Sequence, residues 1–504
     1  MKSQLESFEI KGQWWRPEGA ETRKDPQPEL VSGSMSIDDG AAFLQSERDK
    51  RGGTSYDEAC RGPLKFDPES GMKLELLGAS EVAFPLANES FTILGETSGG
   101  RPCTLLGCFV VNARSQLMGG ISEREIRVGS LLLGEHIEDY EHFGFDWLEL
   151  RVSNLVSFLW APTPQTKGNT SGLGRTSEHP KFHEVDLGDA RVTFEIGERT
   201  SNSVHTARWE RDAIISIKSS SELTWAQWKE DWIEPISRMV TLATGRPATV
   251  ETTTSIVTET IPPGPVSPEG TTRNLGREIV EQQRIFDHKK PFEYQQLLFG
   301  FASLGQHFDE FLRLWFELNT ELEGTGDFLF GSLEPNQTLE TQLVTLGSVI
   351  ESYHRTFLDK VEIPKDQHRE IVNEMCATIS DPEIRQLYKS RLGHANEMTQ
   401  RARITEVLER AGEVVQPLGI EGERLAKVVV ATRNYFVHLG ARTKSVLDLS
   451  QTKEAIELLQ IAIKVNLLLD LDVPATDVGI GMGEAMSGSF AWQRLHRRGS
   501  AWVA

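Results

Sequence analysis

Apolar and polar residues alternate in short runs through the first half of the chain. MKLELLGA, FTILGET, CTLLGCFVV, REIRVGSLLL, ARVTFEIG and DAIISIKS are rich in aliphatic and β-branched residues, with Gly, Asn, Asp or Ser between them. A period of two bounded by turn residues predicts strands, and many short strands predict a sandwich or a barrel. One helix interrupts the series. Trp225, Trp228, Trp232 and Ile236 recur at three- and four-residue steps, so three indoles share a face. That face is expected to be core rather than a stacking platform for bases. Residues 46–68 and 163–184 hold too few apolar side chains to bury and are expected to be mobile loops.

The period changes after IPPGPVSPEGTT, whose prolines can extend neither a helix nor a central strand; residues 261–289 read as a linker. LGQHFDEFLRLWFELN, TQLVTLGSVIESYHRTFL, QHREIVNEMCATI, RITEVLERAG, EGERLAKVVVATRNYFVHLG and TKEAIELLQIAIKVNLLLDL then carry apolar residues at helical spacing. They predict a helical bundle over residues 290–473, with Gly440 placed to end the fifth helix. Residues 474–504 are glycine-rich and finish in a basic cluster of Arg494, His496, Arg497 and Arg498, flanked by Trp492 and Trp502. The expected fold is α+β and multidomain: a β-rich sandwich or barrel-like domain over residues 1–260, a linker, an all-α bundle and a flexible tail.

Charge narrows the function. Fifty-three Lys and Arg stand against 74 Asp and Glu in 504 residues, a net charge of −21. Such a field repels nucleic acid at long range, which excludes a broadly basic coat but not a local basic site for RNA. The four cysteines, Cys60, Cys103, Cys108 and Cys376, form no CxxC pair. A disulfide scaffold or zinc ribbon is therefore not expected, and a reducing cytoplasm is. No apolar run approaches the roughly 20 residues of a bilayer-spanning helix, and no secretory leader is legible, so no membrane partner is expected.

RNA can be cut by acid–base chemistry alone, because its 2′-hydroxyl is a nucleophile beside the phosphate. The site needs a proton acceptor, a proton donor and a cation for the charge that builds on phosphorus. Arg433-Asn434-Tyr435-Phe436-Val437-His438 places a guanidinium and an imidazole on one predicted helix. His438 falls in the last turn, where the negative end of the helix dipole favours the imidazolium. Arg433 and His438 diverge by about 140° around an ideal helix, so one copy does not aim both at one phosphate, whereas two copies across a twofold axis can. With twelve histidines in the chain the spacing also arises by chance, and Arg199–His205, in strand context, is a decoy of that kind.

RNYFVH at a helix end resembles the R-x4–6-H motif of the HEPN superfamily of ribonucleases, in which an asparagine often follows the arginine. Glu351-Ser-Tyr-His-Arg355 is similar to the E-x3-[K/R] element on an earlier helix of the same superfamily. Residues i and i+4 share a helix face, so Glu351 and Arg355 can pair and steady the arginine. GQWWRPEG, VSGSMSIDDG, LELLGAS, FTILGETSGGRPCTLLGC and LLLGEHI resemble the β-rich domain upstream of the HEPN domain in ApeA, a family of anti-phage HEPN nucleases. The resemblance covers most of the chain. It implies a metal-independent endoribonuclease acting in abortive-infection defence, needing no cofactor, forming a homodimer or higher oligomer, and leaving cyclic phosphate ends. His438 would be the general acid or base and Arg433 the phosphate clamp. Asn434, Glu351 and Arg355 would support them, with Arg424, Lys427, Arg442 and Lys444 on the substrate. The β-rich half would sense a phage-derived trigger.

Two alternatives stand beside this reading. Some HEPN domains are non-catalytic and bind nucleotides or partners, which would make the chain a sensor scaffold. Others are toxins modified by a nucleotidyltransferase, but no nucleotidyltransferase motif is present. Glu135, His136, Glu138, Asp139, Glu141 and His142 crowd GEHIEDYEH without HExxH spacing or a second ligand cluster, so a structural role is expected and no metal site. GETSGG and GIGMGE lack the endings of phosphate-binding loops. Core positions are expected for Trp14 and Trp15.

Overall fold

The structure, a computed structural model, describes residues 6–15, 32–34, 60–77, 90–114, 123–137, 143–159, 182–202, 207–261, 271–282, 292, 297–334, 337–358, 363–393, 395–412, 421–439, 441–475 and 477–478. The chain divides into two compact units, Met1–Val240 with Ala248–Pro291, and Thr241–Pro247 with Phe292–Ala504.

The first unit is built from β1 (Phe8–Trp15), β2 (Ser32–Ser34), β3 (Cys60–Asp67), β4 (Gly71–Leu77), β5 (Phe91–Thr97), β6 (Pro102–Arg114), β7 (Glu123–Val128), β8 (Ser130–Leu133), β9 (Gly144–Val152), β10 (Phe182–Asp186), β11 (Ala190–Asn202), β12 (Ala207–Thr224), β13 (Val250–Ile261) and β14 (Thr271–Glu281). Six antiparallel strands close a barrel, β6-β5-β1-β3-β4-β7 and back to β6. The sheet continues from β6 through β8-β14-β13-β9-β12-β11-β10.

Closure turns on β6. Its first half, Cys103 to Leu106, pairs with β8, and its second half, Phe109 to Arg114, pairs with β7. Gly107 sits between them at φ 61°, and Gly129, between β7 and β8, donates its N–H to the Leu106 carbonyl at 2.9 Å. A glycine free to take positive φ lets one strand serve two partners at the barrel corner. Trp14 fills the interior and donates Nε1–H to the Gly62 carbonyl at 3.2 Å. Gly95 makes room for it, since a Cβ there would stand 2.3 Å from the indole. Leu64, Phe66, Met72, Leu74, Ile93, Leu105 and Ile126 complete this core. Burial pushes the Cys103 and Cys108 thiols up, so both behave as small apolar side chains.

The indole stripe is core, as its spacing implied. Trp225–Gln227, a π-helical turn over Trp228–Ile233 and helix α1 (Glu234–Thr244) form one run, capped by Thr224 and Gln227. Trp225, Trp228 and Trp232 are buried, and Phe145 stacks on Trp228 at 5.3 Å.

Two expectations are corrected. Residues 60–67, read within a loop, are strand β3, and residues 182–184, also read within a loop, open β10; residues 46–59 and 163–181 lie outside the described residues. Gly62 and Pro63 gave β3 the look of a turn, but Gly62 is needed in the strand because a Cβ there would stand 1.4 Å from the Glu75 carbonyl oxygen. Residues 271–281, read as linker, are β14, whose Ile279 and Val280 are buried between β13 and β8. The prolines that suggested a linker all precede Thr271.

The second unit is helical: α2 (Phe308–Gly331), α3 (Leu339–Tyr353), α4 (Lys365–Ala377), α5 (Pro382–Leu392), α6 (Gln400–Arg410), α7 (Gly422–His438) and α8 (Leu449–Asp470). Ile456, Leu459, Ile463 and Leu467 of α8 are buried, and α3 packs on α2, α6, α7 and α8. Buried Asn466 donates to the carbonyls of Val407 at 2.9 Å and Ala462 at 2.8 Å. Arg410 donates to the Tyr353 hydroxyl at 2.7 Å, and that hydroxyl donates to Asp470. Burial, with Asp470 beside it, pushes the Tyr353 phenol up and keeps it a donor. Val478, expected in the tail, is instead buried and donates its N–H to the Pro474 carbonyl at 3.0 Å. Residues 479–504, with the basic cluster, lie outside the described residues. No helix among the described residues is long and apolar enough to cross a membrane.

Candidate active site

Helix α7 carries the Arg-x4-His pair. Leu425, Ala426, Val429 and Thr432 form its buried stripe. The Thr432 hydroxyl donates to the Val428 carbonyl at 2.7 Å and accepts the Leu447 N–H at 3.0 Å, which pins the segment after α7 back onto the helix. His438 is the last helical residue and is exposed. Leu439 takes the left-handed position, with φ 48° and ψ 37°, and donates its N–H to the Tyr435 carbonyl at 2.8 Å. Gly440 lies outside the described residues.

Arg433 is half-buried and its stem crosses α3 at Gly347, where a Cβ would stand 3.8 Å from Arg433 Cγ. Its Nη1 donates to Asn434 Oδ1 at 3.4 Å, while the buried Nε has no hydrogen-bond partner among the described residues. A guanidinium offers five donors in a fixed fork, so most of this one's capacity is unspent. The 100° step per residue puts Lys427, Asn434 and His438 within about 40° of one another on α7, with Arg433 on a different side.

Glu351 on α3 accepts from Arg355 at 3.1 Å, and Arg355 also donates to Glu397 at 3.1 Å. The Glu351 hydrogen bond, ahead of that from Glu397, raises the Arg355 pKa further. The pair does not hydrogen-bond Arg433. Gln400 stands between, its Nε2 at 3.5 Å from both the Gly347 carbonyl and Glu351 Oε2. Gln400 and Gly347 escaped sequence reasoning, and no spacing rule marks either. Neighbouring His354 is fully buried: Arg403, which can only donate, meets its Nδ1 at 3.0 Å, so its Nε2–H donates to Glu406 at 3.0 Å. That histidine is structural.

The remaining cations spread out. Lys427 and Lys444 are exposed, and Arg442 donates to the Leu447 carbonyl at 3.2 Å. Arg424 is half-buried and about 21 Å along the helix axis from His438. Arg199 lies opposite Glu210 in the β11–β12 ladder, and His205 is outside the described residues. In GEHIEDYEH, Glu135 pairs with Arg277 at 2.6 Å and His136 bonds the Gly95 carbonyl at 2.7 Å, both structural; residues 138–142 lie outside the described residues. No group of three potential metal ligands occurs among the described residues.

Two family models match. ApeA N-terminal domain 1 spans residues 50–315 and Apea-like HEPN spans residues 344–477. The chain belongs to the ApeA family. Its Apea-like HEPN domain contains Glu351, Arg355, Arg433 and His438, and its ApeA N-terminal domain takes in β3 to β14 and continues into α2. At family level these domains support a HEPN-type defence nuclease. No curated protein and no solved structure matches the chain.

Proposed function

We propose that this protein is a metal-independent endoribonuclease of anti-phage defence, acting in the cytoplasm through Arg433 and His438 at a cleft between two copies. The observation that carries the reading is Arg433, a guanidinium fixed against Gly347 with its Nε buried and unpartnered among the described residues, on the helix that ends at exposed His438. A phosphate oxygen is the acceptor that the outer guanidinium nitrogens would take, with the buried Nε holding the stem in place.

In the reaction the 2′-oxygen attacks phosphorus, one imidazole takes the 2′-hydroxyl proton, and a second, protonated imidazole gives a proton to the leaving 5′-oxygen. A 2′,3′-cyclic phosphate and a 5′-hydroxyl result. Arg433 neutralises the charge on the non-bridging oxygens. With His438 the one imidazole that each chain brings to this site, two imidazoles come from two chains. Exposed Val437, Leu439 and Leu449 around the end of α7 favour association there. Asn434 orients substrate or imidazole, Lys427, Arg442 and Lys444 attract the strand, and the β-rich domain senses the phage trigger.

The test is purified protein incubated with total RNA, with and without EDTA, followed by mapping of the ends. Cyclic phosphate ends that persist in EDTA support the mechanism. Activity lost on chelation and restored by Mg²⁺ defeats it, and intact RNA with a bound nucleotide selects the non-catalytic alternative.

A further inference from the structure

Helices α4 and α5 lie side by side in the second unit, and a cavity of about 330 Å³ opens at their base. Its lining includes Lys365, His368, Arg369 and Lys389, with Asn373 and Glu397. In a chain of net charge −21 this is a local reversal of sign. Arg369 pairs with exposed Asp366 at 3.3 Å, whereas Lys365, His368 and Lys389 have no ion-pair partner among the described residues. Glu397, the acidic member, is engaged by Arg355 at 3.1 Å.

The backbone adds to the same sign. Helix α4 starts at this cavity with Pro364 as its cap, which has no side-chain hydrogen bond to offer, so the first-turn N–H groups keep their capacity. Asn396 fixes that helix start, accepting from Ile363 N at 2.9 Å and donating to Ile363 O at 2.6 Å. Two lysines and a histidine with no ion-pair partner among the described residues, a helix start without a side-chain cap and a cavity at the lower end of small-ligand size converge on one place. We infer that this cavity is a phosphate-binding site, separate from Arg433 and His438, taking a phosphate group of a nucleotide or of an RNA strand. Asn373, one helical turn beyond Arg369, offers a donor and an acceptor to the rest of the ligand.

The test uses the full chain carrying Arg433→Gln and His438→Ala, which removes the other candidate phosphate contact and any cleavage. Inorganic phosphate, a ribonucleoside monophosphate and a short RNA are titrated by calorimetry. Binding is expected to saturate at one site per chain and to weaken about tenfold or more when Lys365→Gln, His368→Gln and Lys389→Gln are combined. Tighter binding of the mononucleotide than of RNA assigns a free nucleotide, and the reverse assigns a strand. Lys389→Glu alone, at an exposed position, gives the same direction should the triple variant misfold. Failure of all three probes to bind at millimolar concentration, or binding undiminished in these variants, overturns the site. Neither result bears on catalysis at Arg433 and His438, which the cleavage assay reads separately.

Discussion

Arg433 rests on Gly347: a methyl group added at that glycine would lie 3.8 Å from Arg433 Cγ and 3.6 Å from Gln400 Nε2. Both distances are ordinary contacts. A helix interior that holds glycine where alanine fits accepts a conformational cost and keeps a shallow seat for the arginine.

Gly347→Ala is expected to raise stability by up to about 1 kcal/mol through helix propensity, with RNA cleavage retained. Gly347→Leu is expected to displace Arg433 and cut activity by at least about tenfold, because a branched side chain fills the seat. Thermal melts and cleavage rates on the pair separate packing from catalysis. Equal activity in both variants would show that the seat does not position the arginine.

His438→Ala is expected to lower cleavage by about 10²–10⁴-fold, the range of general acid–base catalysis. Stability should move by no more than about 0.5 kcal/mol, since the side chain is exposed. Arg433→Lys should recover little, because a point charge cannot grip phosphate bidentately. Parental rates in His438→Ala would place the chemistry elsewhere.

Leu439 is 82% exposed and in the left-handed region, at a cost of about 1–2 kcal/mol for a residue with a Cβ. Leu439→Gly is expected to stabilise the isolated chain by about 1 kcal/mol and, if the end of α7 is the dimer contact, to weaken self-association. Sedimentation across a concentration series, beside melts at low concentration, reads both effects. Unchanged association removes this residue from the interface.

Lys464 is packed near Gly245, and burial lowers its pKa from 10.5 to about 8. Between pH 8 and 10.5 the unfolded chain then binds more protons at this residue than the folded one, so its contribution makes stability rise with pH through that window. Lys464→Met is expected to stabilise the protein at pH 7, with the gain shrinking towards pH 10. Parallel melts of parent and variant against pH check the sign, and a gain that does not change with pH would rule out titration of Lys464 as its cause.

Alternation made β4 to β8, β11 and β12 legible, and the helical period marked six of the bundle helices. Barrel closure was not legible, because nothing in the spacing of Gly107 and Gly129 says that one strand will divide its hydrogen bonds between two neighbours. Helix α5 was legible in principle: Ile384, Leu387 and Tyr388 recur at helical steps though all three are exposed, and Asp381 caps the helix with Pro382 at its first position. At the site, RNYFVH and Glu351–Arg355 stood out because their chemistry is local in sequence. Gly347 and Gln400 act through tertiary contacts, which no linear pattern encodes.

Strand β14 carries a consequence for synthesis. It is hydrogen-bonded on one side to β13 and on the other to β8, about 150 residues earlier in the chain. The ring of six strands can assemble from residues already made, but the joint to the remaining sheet waits for Glu281 to clear the ribosome. Pairings so distant in sequence form late and slowly. A chain released early, before Thr271, therefore leaves β8 and β13 each with an open edge, and the order of emergence puts completion of the β unit ahead of the helices that carry Arg433 and His438.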